Sequence, residues 1–587
     1  MKKTIEIIAL LLSALLFCAC AAPSEMPAAS PPEIGAQPSL AIKELQNDGA
    51  PFTDRDVNGT WDDAAATHIT LGAVPVIEGE GAKATPGGVT LSAAGVYVLT
   101  GALQGCVVVE AGKSDKLQIV LNGVEITAAD GPALYIKAAD KVFLTVAEGT
   151  TNSLSDSAVY ADDAEDPNGA IYSKADLSVN GAGTLNVTGA YKHGVVSKDD
   201  LVLADVTLTI TAAGDGVRGK DCIKAHNAVC SITAQGDGMQ SSNTGDENRG
   251  YVLLDGGVYD VVAGKDGIQA ATRLEASGGT FHIVTGGGSE AAGAMTRAKD
   301  LPAMPGGMQP MQGNAAAGAA AAGTTPPAPM DAAQADTTSA KGLKAGADIV
   351  VQGGVYVLDT LDDAVHANGG VTLQPDNMTI STGDDGVHAD GALTINGGTI
   401  TIEKSYEGLE GNSVTVLDGV IAVTAFDDGI NAAGGADTAA MGGWGADQFA
   451  ADPTKYIDIR GGTLHVNASG DGLDSNGDFF MSGGVVTVSG SADADNGALD
   501  YNGKGEISGG SIMAAGSAAM SQSFSDTSSQ CALAVYYTQT QEAGSTVALK
   551  DGDDTLAAFA PEKAYGMVVI SVPGMEKGKT YTLYVNE

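Results

Sequence analysis

The chain has 587 residues, and 72 acidic against 30 basic residues give it a net charge of −42. Such a charge repels the phosphates of nucleic acids and anionic lipid headgroups, so the sequence makes both poor candidates for binding partners of the folded domain. Hydrophobic residues make up 44% of the chain, which is ample for a buried core.

The N-terminus predicts a lipid-anchored surface protein. Two lysines precede an apolar run at 7–17 that is too short to span a membrane. The run ends in Phe-Cys-Ala-Cys, which resembles the lipobox of bacterial lipoproteins and predicts acylation of Cys20. We therefore interpret residues 1–20 as a lipoprotein signal peptide and residues 21–45 as a flexible tether, which would place the protein on the extracellular face of a bacterial membrane. Plain secretion is the alternative, because the residue three before Cys20 is phenylalanine and not leucine.

A short phrase, usually an acid followed by glycine and an aliphatic residue, returns along residues 46–520 at steps of mostly 21 or 22 residues. The recurring positions are Gly194, Gly216, Gly238, Gly267, Ala364, Gly386, Gly408 and Gly429. A repeat of this length predicts a solenoid, and the short β-branched runs between the phrases predict strands. The predicted fold is all-β, a parallel β-helix with about 22 residues per coil. Replacement of Gly386 by valine is expected to damage the coil if that corner needs a positive φ.

Two insertions and a cap interrupt this pattern. Residues 289–345, rich in Ala, Gly, Pro and Met, predict a disordered insertion. A second insertion at 433–456 carries Trp444, which is a candidate for stacking on a sugar ring or for packing against the coil. Residues 521–587 lose the repeat and predict a C-terminal β cap over the open end of the solenoid.

Four cysteines remain after the signal peptide, and none belongs to a Cys-x-x-Cys pattern. This spacing gives little support to zinc or redox chemistry and favours single buried thiols. A pair between Cys222 and Cys230 is left open by the sequence.

The repeated acids predict cation sites. Equivalent residues of neighbouring coils stack about 4.8 Å apart, where two carboxylates repel each other by roughly 1 kcal/mol in water. Closely spaced carboxylate oxygens suit Ca²⁺, whereas ordinary turn chemistry is the alternative explanation of the Asp-Gly pairs. We expect calcium above all where Asp384 and Asp385 stack on the pair Asp362 and Asp363, and where Asp215 stacks on Asp237. The candidate ligands are Asp199, Asp200, Asp215, Asp237, Asp266, Asp362, Asp363, Asp384, Asp385, Asp427, Asp428, Asp471 and Asp474.

Longer phrases follow one another in a characteristic order from about Trp61 to the C-terminus. They include GPALYIK at 131–137, NGAIYSKADLSVNGAGTLNV at 168–187, GDGVRGKD at 214–221, GDGLDSNG at 470–477 and KGKTYTLYV at 577–585. This order resembles the clostridial carbohydrate-binding β-helix family. The resemblance implies a right-handed coil like that of pectate lyases, bound calcium, and recognition of cellulose or acidic pectic polymers. Cys222, Cys230 and Glu407, which stands where an aspartate is usual, depart from the family pattern.

Together these features predict a calcium-dependent surface protein that binds polysaccharide, as a monomer and without catalysis. A calcium-dependent polysaccharide lyase is the first alternative, and Lys220 is then the candidate base. A structural adhesin whose calcium only stiffens the coil is the second alternative.

Overall fold

The computed structural model describes residues 51–161, 166–293, 339–434 and 450–586. The predicted signal peptide and tether, Cys20, Trp444 and most of the insertion at 289–345 lie outside the described residues. The described residues all belong to one unit, Ala50–Glu587. Within them, no helix combines the length and apolar character needed to cross a membrane.

Each regular coil contains three short strands, and every strand pairs in parallel with its equivalent in the next coil. In two neighbouring coils, the pairs are His193–Ser197 with Val217–Gly219, Asp200–Ala204 with Cys222–His226, and Thr207–Ala212 with Val229–Ala234. The chain is therefore an all-β parallel solenoid with three faces, as the spacing of the repeated phrase predicts.

The three faces are named here in chain order within a coil. The first face consists of Gly88–Leu91, Cys106–Glu110, Leu134–Ala138, Gly169–Ser173, His193–Ser197, Val217–Gly219, Met239–Ser241, Ile268–Ala270, Leu343–Ala345, Val365–Ala367, Val387–Ile395, Leu409–Val416, Ile430–Ala432, Leu473–Ser475 and Leu499–Tyr501. The second face consists of Thr67–Leu71, Gly95–Gln104, Lys116–Thr127, Lys141–Val146, Asp176–Asn180, Asp200–Ala204, Cys222–His226, Tyr251–Asp255, Leu274–Ser277, Ile349–Gln352, Val371–Gln374, the last residues of Val387–Ile395 and of Leu409–Val416, Tyr456–Ile459, Asp478–Met481 and Gly505–Ile507. The third face consists of Thr151–Ser155, Thr184–Gly189, Thr207–Ala212, Val229–Ala234, Val258–Ala263, Thr280–Thr285, Val355–Thr360, Asn377–Thr382, Thr399–Ser405, Val420–Ala425, Thr463–Ala468, Val485–Ser489 and Ser511–Gly516.

The core lies inside the coil because alternate residues of each strand point inward. In Thr207–Ala212, for example, Leu208 and Ile210 are buried between partly or fully exposed threonines. One continuous cluster of such residues fills the solenoid. The rings of Tyr259, Phe281 and Tyr356 stack within it at centroid distances of 4.8 and 4.5 Å, close to the spacing of neighbouring strands.

Both ends of the solenoid carry antiparallel pairs. At the N-terminal end, helix Asp54–Val57 and the 3-10 turn Asp63–Ala65 come first. Val76–Glu78 then pairs antiparallel with Thr67–Leu71, and Ala82–Thr85 pairs antiparallel with Gly88–Leu91. At the C-terminal end, Tyr565–Ser571 pairs antiparallel with the last third-face strand and with Leu533–Gln541. The remaining strands, Thr546–Asp551, Asp554–Phe559 and Thr582–Asn586, form a separate antiparallel sheet.

The structure revises the bounds of the predicted insertion at 289–345 and answers the question of a Cys222–Cys230 pair. The regular coil resumes inside the range predicted as an insertion, because Leu343–Ala345 pairs in register with Ile268–Ala270. A 3-10 turn, Ser289–Ala292, lies at the start of that range. Cys222 and Cys230 are both buried and free, on different faces, so they do not form the pair that the sequence left open.

Candidate functional site

The acids of the repeated phrase form one row along the corner that leads into the first face. We call the residue just before each corner glycine or alanine the first row; it comprises His193, Asp215, Asp237, Asp266, Lys341, Asp363, Asp385, Glu407, Asp428 and Asp471. The backbone N–H of Asp237 donates to Asp215 Oδ1 at 2.9 Å, and the N–H of Asp266 donates to Asp237 Oδ1 at 3.1 Å. One oxygen of each of these aspartates therefore holds the next coil, and the other remains for a further partner.

The corner glycine is required by close approach and not by a positive φ. Gly386 is not among the residues with positive φ. A Cβ atom placed on it would lie 2.6 Å from the carbonyl oxygen of Gly408 in the next coil. The condition of a positive φ is therefore not met at Gly386, and a side chain there would instead meet the backbone of the next coil.

A second row of polar residues lies on the first face, three positions after the first row. We call this the second row; it comprises Arg218, Gln240, Gln269, Lys344, His366, His388, Glu410, Asn431, Asp474 and Asp500, which pair in register from coil to coil. Of these residues, sequence reasoning selected Asp474 alone as a candidate ligand. The signal was present in phrases such as DGVR, DGVH and EGLE, whose last residue is polar where a buried strand would be apolar.

Several predicted ligands are already neutralised by basic residues of the protein. Asp215 Oδ2 lies 3.2 Å from Arg218, and Asp266 Oδ2 lies 3.1 Å from Lys344 Nζ. Lys341 Nζ lies 2.9 Å from Asp362 Oδ1, and it also contacts the neighbouring Asp363. These carboxylates have less need of an external cation than their neighbours.

Asp237 lies in the first row between Asp215 and Asp266, and its carboxyl group has a strongly raised pKa. Burial, followed by the charges of Asp215 and Asp266, raises the pKa of Asp237 to about 7. Part of this carboxylate is therefore protonated near neutral pH, although Gln240 also hydrogen-bonds to it.

The two histidines of the second row lie among carboxylates. His388 Nδ1 lies 3.0 Å from Glu410 Oε2 and 3.2 Å from Asp385 Oδ2. Burial opposes the charged form of His388, but these two carboxylates outweigh it and raise its pKa to about 10. Burial and the charge of Asp385 raise the pKa of Glu410 to about 8. The residue Asp384 as a whole is exposed, but its carboxylate is partly desolvated. This desolvation and the charge of Asp385 raise the pKa of Asp384 to about 8.

One group on the first face consists of four aspartates from the corners and strands of neighbouring coils. Asp427, Asp428, Asp471 and Asp474 are all half-buried and lie on two consecutive coils. Burial and the charges of Asp474 and Asp471 raise the pKa of Asp428 well above its ordinary value. Burial, Asp471 and Asp500 raise the pKa of Asp474 to about 8. Ionisation of all four carboxylates at once is therefore unfavourable, because their negative charges repel one another.

Asp199 and Asp200 lie at a different corner, which leads into the second face. Their carboxylates, with that of Asp176, offer oxygens that all lie within 4.8 Å of one another. Burial, a hydrogen bond with Asp221 and the charge of Asp176 raise the pKa of Asp199 to about 6. Lys220 lies at this same corner, where its backbone N–H donates to the carbonyl of Ser197, and its side chain is exposed. The strand Val217–Gly219 therefore separates the candidate base from the first row.

The structure thus defines a parallel β-solenoid whose first face carries two rows of polar and acidic residues. The family of carbohydrate-binding domain-containing proteins matches residues 86–386 and 382–563. The chain therefore belongs to the carbohydrate-binding domain-containing protein family.

A relative from Acetivibrio thermocellus, also described as a carbohydrate-binding domain-containing protein, is 36% identical over 203 residues. That match covers 34% of this chain and 71% of the relative. A solved structure described as the polysaccharide lyase-like protein from C. thermocellum, gadolinium derivative, is 27% identical. The match with this solved structure covers 38% of this chain and 92% of the solved chain, with a TM-score of 0.37.

Proposed function

We propose that this protein binds polysaccharide on its first face, with calcium ions held by the acidic rows. The observation that carries the proposal is the register of the two rows in a member of a carbohydrate-binding family. Because equivalent residues recur every coil, the face offers weak sites at regular intervals. A polymer can engage several such sites at once, which multiplies a modest affinity per site.

Calcium is best placed at two of the acid-only groups, because in a third, Asp362, Asp363 and Asp384, Lys341 already contacts two of the carboxylates. The two are the group Asp427, Asp428, Asp471 and Asp474 on the first face and the group Asp176, Asp199 and Asp200 at the second-face corner. Both offer several hard oxygen donors, and the raised pKa values show mutual repulsion that a divalent cation would relieve. Whichever ion binds, one oxygen of Asp428 already accepts the N–H of Asp471 at 2.6 Å.

An acidic polysaccharide of the polygalacturonate type is the proposed ligand, and a cellulosic polymer is the alternative. A calcium ion that contacts a protein carboxylate on one side can contact a uronate carboxylate on the other. The ion then reverses the repulsion that a net charge of −42 would otherwise impose on an acidic polymer. Half-buried carboxylates suit this role because they leave one side of the ion open.

Isothermal titration calorimetry against polygalacturonate and soluble cellulose oligomers tests the proposal, with calcium and with chelator. We expect binding of polygalacturonate that chelator abolishes, and weakening of that binding in Asp474→Asn. The matched control is Asp260→Asn, because Asp260 is exposed on the third face and contacts His282 at 2.9 Å. Equal affinity with and without calcium would contradict the bridging role, and absence of binding to both polymers would contradict the ligand class.

A calcium-dependent lyase remains the competing function, and Lys341, the lysine within the first row, is unsuited to act as its base. Elimination needs a neutral base near the acids. Burial lowers the pKa of Lys341, but the neighbouring Asp363 and Asp362 outweigh that effect and raise it above the ordinary value, so this lysine keeps its proton. Release of unsaturated products that absorb ultraviolet light from polygalacturonate would establish the lyase instead.

We further propose that Cys20 is acylated and anchors the protein on the outer side of the cell membrane. The support is the lipobox-like sequence before it. Labelling with a palmitate analogue should mark the wild-type protein and spare Cys20→Ser.

A further inference from the structure

The second row contains a pair of buried histidines on consecutive coils. His366 and His388 are 5% and 2% exposed, and their ring centroids lie 4.8 Å apart at an interplanar angle of 45°. A buried imidazole needs a partner for each nitrogen, and the partners of this pair come from three successive coils.

The nitrogen Nδ1 of His388 faces two carboxylate oxygens at once. Glu410 Oε2 lies 3.0 Å away and Asp385 Oδ2 lies 3.2 Å away. Three electron-donating atoms at such distances repel one another unless a proton or a cation lies between them. The donor atoms of Asp385, His388 and Glu410 all lie within 4.8 Å of one another, and so do those of Asp363, His366 and His388.

Further carboxylates are placed to orient both rings for a metal ion. Asp390 Oδ1 lies 3.4 Å from His388 Nε2, so a proton on Nε2 leaves the lone pair of Nδ1 directed at Asp385 and Glu410. Asp363 Oδ2 lies 2.8 Å from His366 Nδ1. An imidazole whose other nitrogen faces a carboxylate is the usual arrangement around protein-bound zinc.

The next residue of the second row offers a further buried oxygen acceptor. Asn431 follows Glu410 in the second row and is 6% exposed. Its Nδ2 donates to Glu407 Oε2 at 2.8 Å, whereas its Oδ1 is buried without a hydrogen-bond partner in the described residues. An unpaired buried acceptor of this kind costs the folded state about 1–3 kcal/mol of stability unless a cation or water contacts it.

We propose that Asp385, His388 and Glu410, with His366 beside them, form a buried site for a divalent transition metal, with Zn²⁺ as the best match. Imidazole nitrogen suits Zn²⁺ and its neighbours in the first transition series, whereas Ca²⁺ takes oxygen ligands. This site is separate from the acid-only groups proposed for calcium, and its existence does not depend on polysaccharide binding.

Titration of Zn²⁺ into tag-free, chelator-treated full-length protein, with calcium in excess, tests the proposal. We expect one zinc ion whose binding is lost in His388→Gln and in Glu410→Gln. Asp390→Asn should weaken it by about 10–100-fold, as substitutions of residues that orient metal ligands do. The matched control is His282→Gln, since His282 is exposed on the third face beside Asp260.

Cobalt supplies a second measurement that does not depend on any activity. Co²⁺ bound at this site should give visible absorption that Zn²⁺ displaces and Ca²⁺ does not. Thermal unfolding of each metal-free variant shows whether a loss of binding is a loss of fold. If the folded wild-type protein binds neither Zn²⁺ nor Co²⁺, a proton occupies the space beside His388 and the proposal is wrong. Unchanged binding in both His388→Gln and Glu410→Gln would overturn it equally.

Discussion

Substitution of Gly386 by alanine tests whether close approach between coils explains the recurring glycine. The added Cβ atom would lie 2.6 Å from the carbonyl oxygen of Gly408 and 2.7 Å from Ile402 Cδ1. The isoleucine methyl can rotate away, but the carbonyl accepts the N–H of Val387 at 3.1 Å and cannot move without weakening that bond. Overpacking of this kind costs about 1–3 kcal/mol, and Gly386→Val should cost more.

Urea unfolding of the full chain measures this cost. Because the m value of a long chain exceeds the roughly 1–3 kcal/mol per molar of small proteins, a loss of about 2 kcal/mol lowers the midpoint by less than about 1 M urea. Gly87→Ala is the control, because no atom lies within 4 Å of its added Cβ. Ala364 occupies the equivalent position one coil earlier, so the coil can accommodate one methyl group there, and the valine variant is the more stringent test. Unfolding of Gly386→Val at the wild-type midpoint would refute the steric argument.

Three further predictions follow from the rows and the thiols. Asp237 and Asp474 have pKa values raised from 3.8 to about 7 and about 8, so the folded state binds their protons more tightly than the unfolded state. The stability of the metal-free protein should therefore fall as pH rises from about 4 to about 8, as unfolding at each pH would show. Asp237→Ala should cost about 1–3 kcal/mol of unfolding free energy because it leaves the buried N–H of Asp266 without its acceptor, whereas Asp237→Asn keeps that acceptor and most of the stability. Burial raises the pKa values of Cys222 and Cys230 to about 12, so a thiol reagent should modify both only after unfolding.

The period of the repeat was enough to predict the solenoid, because a parallel coil must bring equivalent residues together every turn. The first row could be predicted for the same reason. The second row could not, since a polar residue inside a short strand shows its neighbours only once the register is known. The reason for the corner glycine was also hidden, because the clash at Gly386 involves a carbonyl 22 residues away in the chain.

The exceptions in the first row show what the fold itself requires there. His193 stands in place of an aspartate, and its Nδ1 accepts the N–H of Asp215 at 2.9 Å. Burial, together with the nearby Arg218 and despite the charge of Asp215, lowers the pKa of His193 to about 4, so the ring stays neutral and keeps that lone pair. Lys341 has no acceptor to offer, and the N–H of Asp363 donates instead to Oδ1 of the adjacent Asp362 at 2.9 Å.

The structural requirement at this corner is therefore an acceptor for the next amide, and a negative charge is not needed to meet it. Asparagine, or the neutral histidine already present, would hold the coils together without stacking charges about 4.8 Å apart. Where consecutive coils nevertheless carry aspartate at this position, as at Asp428 and Asp471, one oxygen accepts the amide of the next coil and the corner gains a negative charge that this hydrogen bond does not require. That surplus is what a bound cation would use, and it separates the coils proposed to bind calcium from those that only turn a corner.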